Sequence, residues 1–261
     1  MNAPLTIETS GAVQVWTINL PEMGNAITDK AFIAAFEEAV DAANGDNGIR
    51  AVVLTGAGKI FSAGGNVKEM ADREGMFGLE AIEQRYAYVD GIQRIPRALA
   101  RFEIPLIAAV NGAAIGAGCD LAMMCDIRIA SERASFAESF VTLGLIPGDG
   151  GSWFLQRAIG FERAAEMTFT GDRVDAATAL EWGLVSRVVP HDELLPAAHA
   201  LAERIVKNPS HSLRMAKRLL QESRTGLLES TLAMAAAMQP LAHHDAEHER
   251  RIARWRSEGK S

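Results

Sequence analysis

Residues 106–126 read LIAAVNGAAIGAGCDLAMMCD, and the rest of the chain is organised around them. Residues 106–110 are an apolar run after Pro105, the pattern of a buried strand. Asn111 and Gly112 break it. Gly116, Ala117 and Gly118 then open a predicted helix that runs through Met124. Small residues at a strand-to-helix turn let another molecule come close to the backbone. The first N–H groups of a helix lack internal partners and carry the positive end of its dipole. Such a turn suits an anion, or an oxygen that becomes one during a reaction. A tight turn that packs small residues only for space is the other reading of the same residues.

Residues 55–70, TGAGKIFSAGGNVKEM, hold a second turn of this kind. It follows a short buried strand predicted over 51–54, and its Ser62-Ala63-Gly64-Gly65 segment leads into a helical turn predicted over 66–70. The two glycine turns can face each other and offer one N–H apiece. Neither is a nucleotide loop. GAGK lacks the required glycine offset and no Ser or Thr follows Lys59, while GAGCDL puts Leu121 where a dinucleotide motif needs glycine. A third Gly-rich turn ends residues 136–153, FAESFVTLGLIPGDGGSW. Asp149 lies inside it, ahead of a helix predicted over 152–159. Asp favours turns and caps in any case.

The remaining chain supplies a frame. Residues 11–20, GAVQVWTINL, alternate like a half-buried strand. Thr28 or Asp29 caps a helix with Phe32, Ile33, Phe36 and Val40 on one face. Residues 72–101 are expected to be helical, with Ile82, Tyr86, Val89 and Ile92 at helical spacing. A strand is expected over 127–129, with Asp126 and Arg128 as a structural charge pair. Residues 170–190 read as turn, helix and short strand. From Asp192 the pattern is helical, broken at Pro209 and Gly226. Residues 227–238, rich in Ala, Leu and Met, either pack on another subunit or cover their own domain. The strand–strand–helix–strand order predicts a layered α/β domain over 1–191, followed by a helical region over 192–261.

Composition narrows the function. The chain has 261 residues, 48% of them hydrophobic, enough for a sizeable core. Its net charge of −7 argues against bulk nucleic-acid binding. No apolar run reaches the ~18 residues of a membrane span, and residues 1–11 lack the pattern of an export signal. A cytoplasmic protein is expected. Cys119 and Cys125 read as buried apolar fillers, not metal ligands. All six histidines lie from His191 onward, so acid–base chemistry at the glycine turns is expected to use carboxylates. His244 and His248 are one helical turn apart, but HHDAEHERR reads as a solvated helix face.

The segments NAITDKAF, VVLTGAGKIFSAGGNVKEM, IAAVNGAAIGAGCDLAMMCDIRIAS, LGLIPGDGGSWFLQRAIG and TGDRVDAATALEWGLVSRVV together resemble the crotonase superfamily, the enoyl-CoA hydratase/isomerase family, over nearly the whole chain. The resemblance implies a spiral of ββα repeats with a helical C-terminal oligomerisation region, and a homotrimer or dimer of trimers. It implies an acyl-CoA thioester substrate, coenzyme A being part of that substrate, with no metal or separate cofactor. It assigns an oxyanion hole to the backbone N–H groups of Gly65 and Ala117. It places substrate contacts at Ala26, Ala63, Gly65, Asn66, Val67, Lys68 and Ala117. Asn66 stands where the family usually has Asp.

The acidic positions set the reaction. The resemblance puts the first hydratase Glu at Asp120 and the second at Phe140, which moves no proton. Glu138, two residues away, is not expected to replace it. Asp149 matches the acidic position of dienoyl-CoA isomerases, a branch of enoyl-CoA isomerases, an oxepin-forming isomerase and a dehalogenase. The expected catalytic residues are therefore Asp149 and, in an assisting role, Asp120. The expected reaction is a double-bond shift. Hydration by Asp120 and Asp149 is the alternative. A non-catalytic acyl-CoA or RNA-binding member is more remote, since the acidic balance opposes it.

Overall fold

The computed structural model describes residues 3–259. Strands β1 (Leu5–Ser10) and β2 (Val13–Ile18) form an antiparallel hairpin. Helix α1 (Lys30–Gly45) follows. Asp29 caps it, accepting from Phe32 N at 2.8 Å, and Phe32, Ile33, Phe36 and Val40 are buried on the expected face. Every residue of β3 (Ala51–Gly56) is buried, as in a strand covered on both sides.

The next segment departs from the expected single helix over 72–101. Helix α2 (Val67–Asp72) stops at Arg73, which adopts φ +53°. A 3-10 turn spans Gly75–Gly78, then α3 (Ala81–Val89) and α4 (Arg94–Ala100) follow separately. Two glycines explain the breaks. A Cβ on Gly78 would stand 2.4 Å from the Arg73 carbonyl oxygen, and one on Gly91 2.4 Å from that of Ala87. Both bends are too tight for a side chain.

Two strand–strand–helix units come next. The first is β4 (Leu106–Val110), β5 (Ala113–Ile115) and α5 (Ala117–Met124). The second is β6 (Ile127–Ser131), β7 (Ser135–Ala137) and α6 (Gly151–Ile159). The chain continues through α7 (Phe161–Thr170), β8 (Val174–Asp175), α8 (Ala176–Glu181) and β9 (Arg187–Val189). Each unit gives its first strand to a large sheet and its second to a small one. The large sheet runs β1-β2-β3-β4-β6-β9 and is parallel beyond the first hairpin. The small sheet runs β5-β7-β8, with Ser62 bridged to Ala114 beside β5. This is the expected spiral of ββα repeats.

One face of the large sheet packs around Trp16, whose ring lies 5.7 Å from Phe36 and 5.4 Å from Phe102. The other face is closed by α9 (Leu194–Val206), which sets Leu194, Ala198 and Ala202 on Val53, Ile107 and Ile129. The first helix after residue 191 is thus packed into the core. Helices α10 (Ser210–Ser223), α11 (Leu228–His243) and α12 (Ala246–Ser257) complete the tail. Helix α11 buries none of its residues.

The expected Asp126–Arg128 pair does not form. Asp126 binds Lys217 Nζ of α10 at 2.7 Å and accepts from Leu106 N at 2.8 Å. Arg128 donates to the carbonyls of Leu184 and Cys125 at 2.6 and 2.9 Å. A largely buried guanidinium needs several acceptors, and free carbonyls supply them. Among the described residues, no helix is long and apolar enough to cross a membrane.

Candidate active site

The two glycine turns meet. Asn25 is buried and anchors the first, donating from its amide to the carbonyls of Ala57 and Ile60 at 2.9 and 3.0 Å. Ser62 Oγ donates to Asn25 O at 2.7 Å and accepts from Gly64 N at 3.0 Å. Gly64 has φ +79°, and a Cβ there would stand 2.6 Å from Ile115 O. A Cβ on Gly118 would stand 2.3 Å from Ser62 O. Only glycine permits this approach. Among the described residues, the N–H groups of Gly65 and Ala117 reach no backbone or side-chain acceptor. Ala117 is the first residue of α5. Both residues line one cavity of about 40 Å³, together with Thr28, Phe140 and Asp149. Met70, Phe77, Tyr88 and Leu145 form walls both of this cavity and of an outer groove of about 1070 Å³.

The other expected substrate contacts surround the first turn. Ala26 is fully buried behind it, and Ala63 N donates to Gly24 O at 2.8 Å. Asn66 caps α2: its Oδ1 accepts from Lys68 N at 3.1 Å and its amide donates to Glu69 Oε1 at 2.8 Å. Val67 lines the groove, and Lys68 is exposed on the first turn of α2. Tyr88 lines the cavity, whereas Tyr86 is exposed outside it.

Three carboxyl groups gather behind the cavity. Asp120, on the first turn of α5, is fully buried. Asp149 precedes α6 and, among the described residues, is the one carboxyl on the cavity wall. It is not the helix cap, a position taken by Gly150. Gln93 steadies its turn, donating to Gly148 O at 2.8 Å. The third is Glu138, which the sequence did not place among the site residues. It is 0% exposed and interacts directly with Asp120. Strand alternation could have signalled this, because 138 continues the face of buried Phe136. Phe140 occupies the wall instead, its ring 3.5 Å from where a Cβ on Gly116 would lie.

Burial dominates the electrostatics. Among the described residues, no Lys, Arg or His forms an ion pair with these carboxyls. No N–H or O–H donor of another kind among the described residues reaches either oxygen of Asp120 or Glu138, or Oδ1 of Asp149. Burial, then the charges of Glu138 and Asp149, pushes the Asp120 carboxyl well above its usual range. Burial lifts Glu138 to about 7 against an opposing hydrogen bond from Asp120. Asp149 is raised by burial, again opposed by a hydrogen bond from Asp120. Asp120 is thus the carboxyl that keeps a proton. Burial also pushes the Cys119 thiol well up and the Cys125 thiol to about 12, so neither is a thiolate. Among the described residues, no group of three His, Cys, Asp or Glu could hold a metal ion.

Two free N–H groups and one carboxylate on a shared wall can polarise a carbonyl and take a proton from the carbon beside it. The sequence comparisons agree with this chemistry. The enoyl-CoA hydratase/isomerase family model matches residues 8–259. A Rhizobium meliloti protein named "Probable enoyl-CoA hydratase" is 41% identical over 88% of this chain and 84% of its own. A short-chain-enoyl-CoA hydratase of Clostridium acetobutylicum is 37% identical over 87% of this chain and 84% of its own. The crystal structure of an enoyl-CoA hydratase from Bacillus anthracis superimposes with a TM-score of 0.90 at 31% identity, covering 98% of this chain and 96% of that one. On fold, site and sequence together, the chain belongs to the enoyl-CoA hydratase/isomerase family.

Proposed function

We propose that the protein binds the coenzyme A thioester of an unsaturated acid and shifts its carbon–carbon double bond. The thioester oxygen accepts hydrogen bonds from Gly65 N–H and Ala117 N–H. Asp149, as carboxylate, takes a proton from the α-carbon of a 3-enoyl thioester. The electron pair delocalises onto the thioester oxygen, where the two N–H groups stabilise it. Asp149 then returns the proton to the γ-carbon, leaving a 2-enoyl thioester. Each N–H donor is worth roughly 3–4 kcal/mol of barrier, and a positioned base contributes about 10²–10⁴-fold. The observation that carries this reading is the shared cavity: among the described residues Asp149 is its one carboxyl, with Phe140 beside it, the position at which the family resemblance puts the second hydratase acid.

Hydration is the second reading. The hydratase names of the relatives favour it, as does the burial of a second carboxyl, Asp120, beside Asp149. Incubation with 3-enoyl-CoA and with 2-enoyl-CoA separates the two. Conversion of the first without hydration of the second supports the double-bond shift. Rapid hydration without isomerisation overturns it. A homotrimer or dimer of trimers built on the tail, and a location in the cytoplasm, complete the proposal. Two buried free thiols suit a reducing compartment.

A further inference from the structure

Glu138 has no place in the mechanism above, yet it is fully buried, it contacts Asp120, and neither of its oxygens meets a conventional donor. A structural carboxylate would have a cation or several N–H partners. The groups that face it are Cys119 and Asp120 from α5 and Asp149 from the turn before α6. A hydrogen bond between two carboxyls needs a proton. Asp120 hydrogen-bonds to Glu138 and to Asp149, but its one O–H can serve only one of them at a time. The other must bring its own proton. Three carboxyls buried together with no cation among the described residues cannot all ionise, and a chain in which both contacts of Asp120 are made needs two protons and leaves one negative charge.

We infer that Glu138 is a positioning residue: protonated, it donates to Asp120, so that Asp120 directs its own proton to Asp149 and the single charge sits on the carboxyl that lines the cavity. This rests on the assignment of Asp149 as the base. No net reaction occurs at Glu138. Its proton stays on its own oxygen while Asp149 takes and returns the substrate proton. When Glu138 loses that proton, it competes for the O–H of Asp120 and adds a second negative charge beside the forming enolate. The burial that lifts Glu138 to about 7 puts this loss near neutrality.

The test does not depend on turnover. Wild-type protein carrying ¹³C-labelled Glu and Asp carboxyls is titrated by NMR without substrate, beside Glu138→Gln. In wild type, one Glu carboxyl should titrate about two pH units above the others, and its signal should be missing from Glu138→Gln. Titration of every Glu carboxyl in the ordinary range overturns the inference, even if no variant folds. Turnover gives the second arm. Wild-type kcat should fall as pH rises through neutrality. Glu138→Gln, whose amide still donates to Asp120 but cannot ionise, should move that limb up by one pH unit or more, and Glu138→Asp should restore it. A kcat lowered equally at every pH, with the limb unmoved, overturns the inference and leaves a packing role. If 3-enoyl-CoA is not isomerised at all, the assignment of Asp149 fails, and the NMR titration still decides the proton chain.

Discussion

The backbone of Gly64 lies so close to Ala117 that a methyl group on Gly64 would stand 2.8 Å from the Ala117 amide nitrogen. The two N–H groups on the cavity wall are held by this contact, so the geometry leaves no room for drift. Ala117→Pro deletes one donor at the first position of a helix, where proline is tolerated. Turnover should fall by about 100-fold or more, with circular dichroism unchanged. Full turnover in a folded variant would remove Ala117 from the site.

Asp149→Asn keeps size and hydrogen-bonding capacity but cannot accept the proton. Isomerisation should drop by about 10²-fold or more, while calorimetry should record nearly unchanged acyl-CoA affinity. Asp120→Asn should cost less, since Asp120 is off the cavity wall. Equal losses in both variants would make Asp120 a second catalytic group.

Lys217 ties the tail to the core, with Nζ 2.7 Å from Asp126 and 2.8 Å from Ile104 O. Lys217→Ala takes the cation from Asp126, which keeps its bond from Leu106 N, and leaves the Ile104 carbonyl without its donor. Urea unfolding at fixed protein concentration should show a loss of roughly 2–4 kcal/mol. A loss under about 0.5 kcal/mol would make the pair an ordinary surface contact.

The exposed leucines at 227, 228, 232 and 241 form an apolar stretch that a monomer would leave in water. Light scattering at micromolar concentration should report a homo-oligomer. A monomeric mass would contradict a tail-built interface.

Most of the frame was legible because it follows from period and punctuation. Strand β3, the cap at Asp29 and the helix opened by Gly116 are written in local residues. The break in 72–101 was not, because Ile82, Val89 and Ile92 keep helical spacing across a turn that only the crowding of Gly91 dictates. The two N–H turns were legible as a pair of motifs, but their contact depends on Ser62 pairing with Ala114 at the small sheet. Glu138 was missed for a related reason. Chain order makes it a neighbour of Phe140, whereas the spiral makes it a neighbour of Asp120. One partner each of Asp126 and Arg128 is likewise distant in sequence: Lys217 lies on α10 and Leu184 just before β9.

A single carboxyl on the wall, with the Phe140 ring beside it, has a stereochemical consequence. On the proposed mechanism, the proton that leaves the α-carbon and the proton that arrives at the γ-carbon share Asp149, so both cross the same side of the planar dienolate. The proposal therefore requires a suprafacial allylic transfer. A substrate bearing deuterium on one prochiral α-position should carry the label to the γ-carbon with a single handedness, and the opposite α-hydrogen should stay where it began.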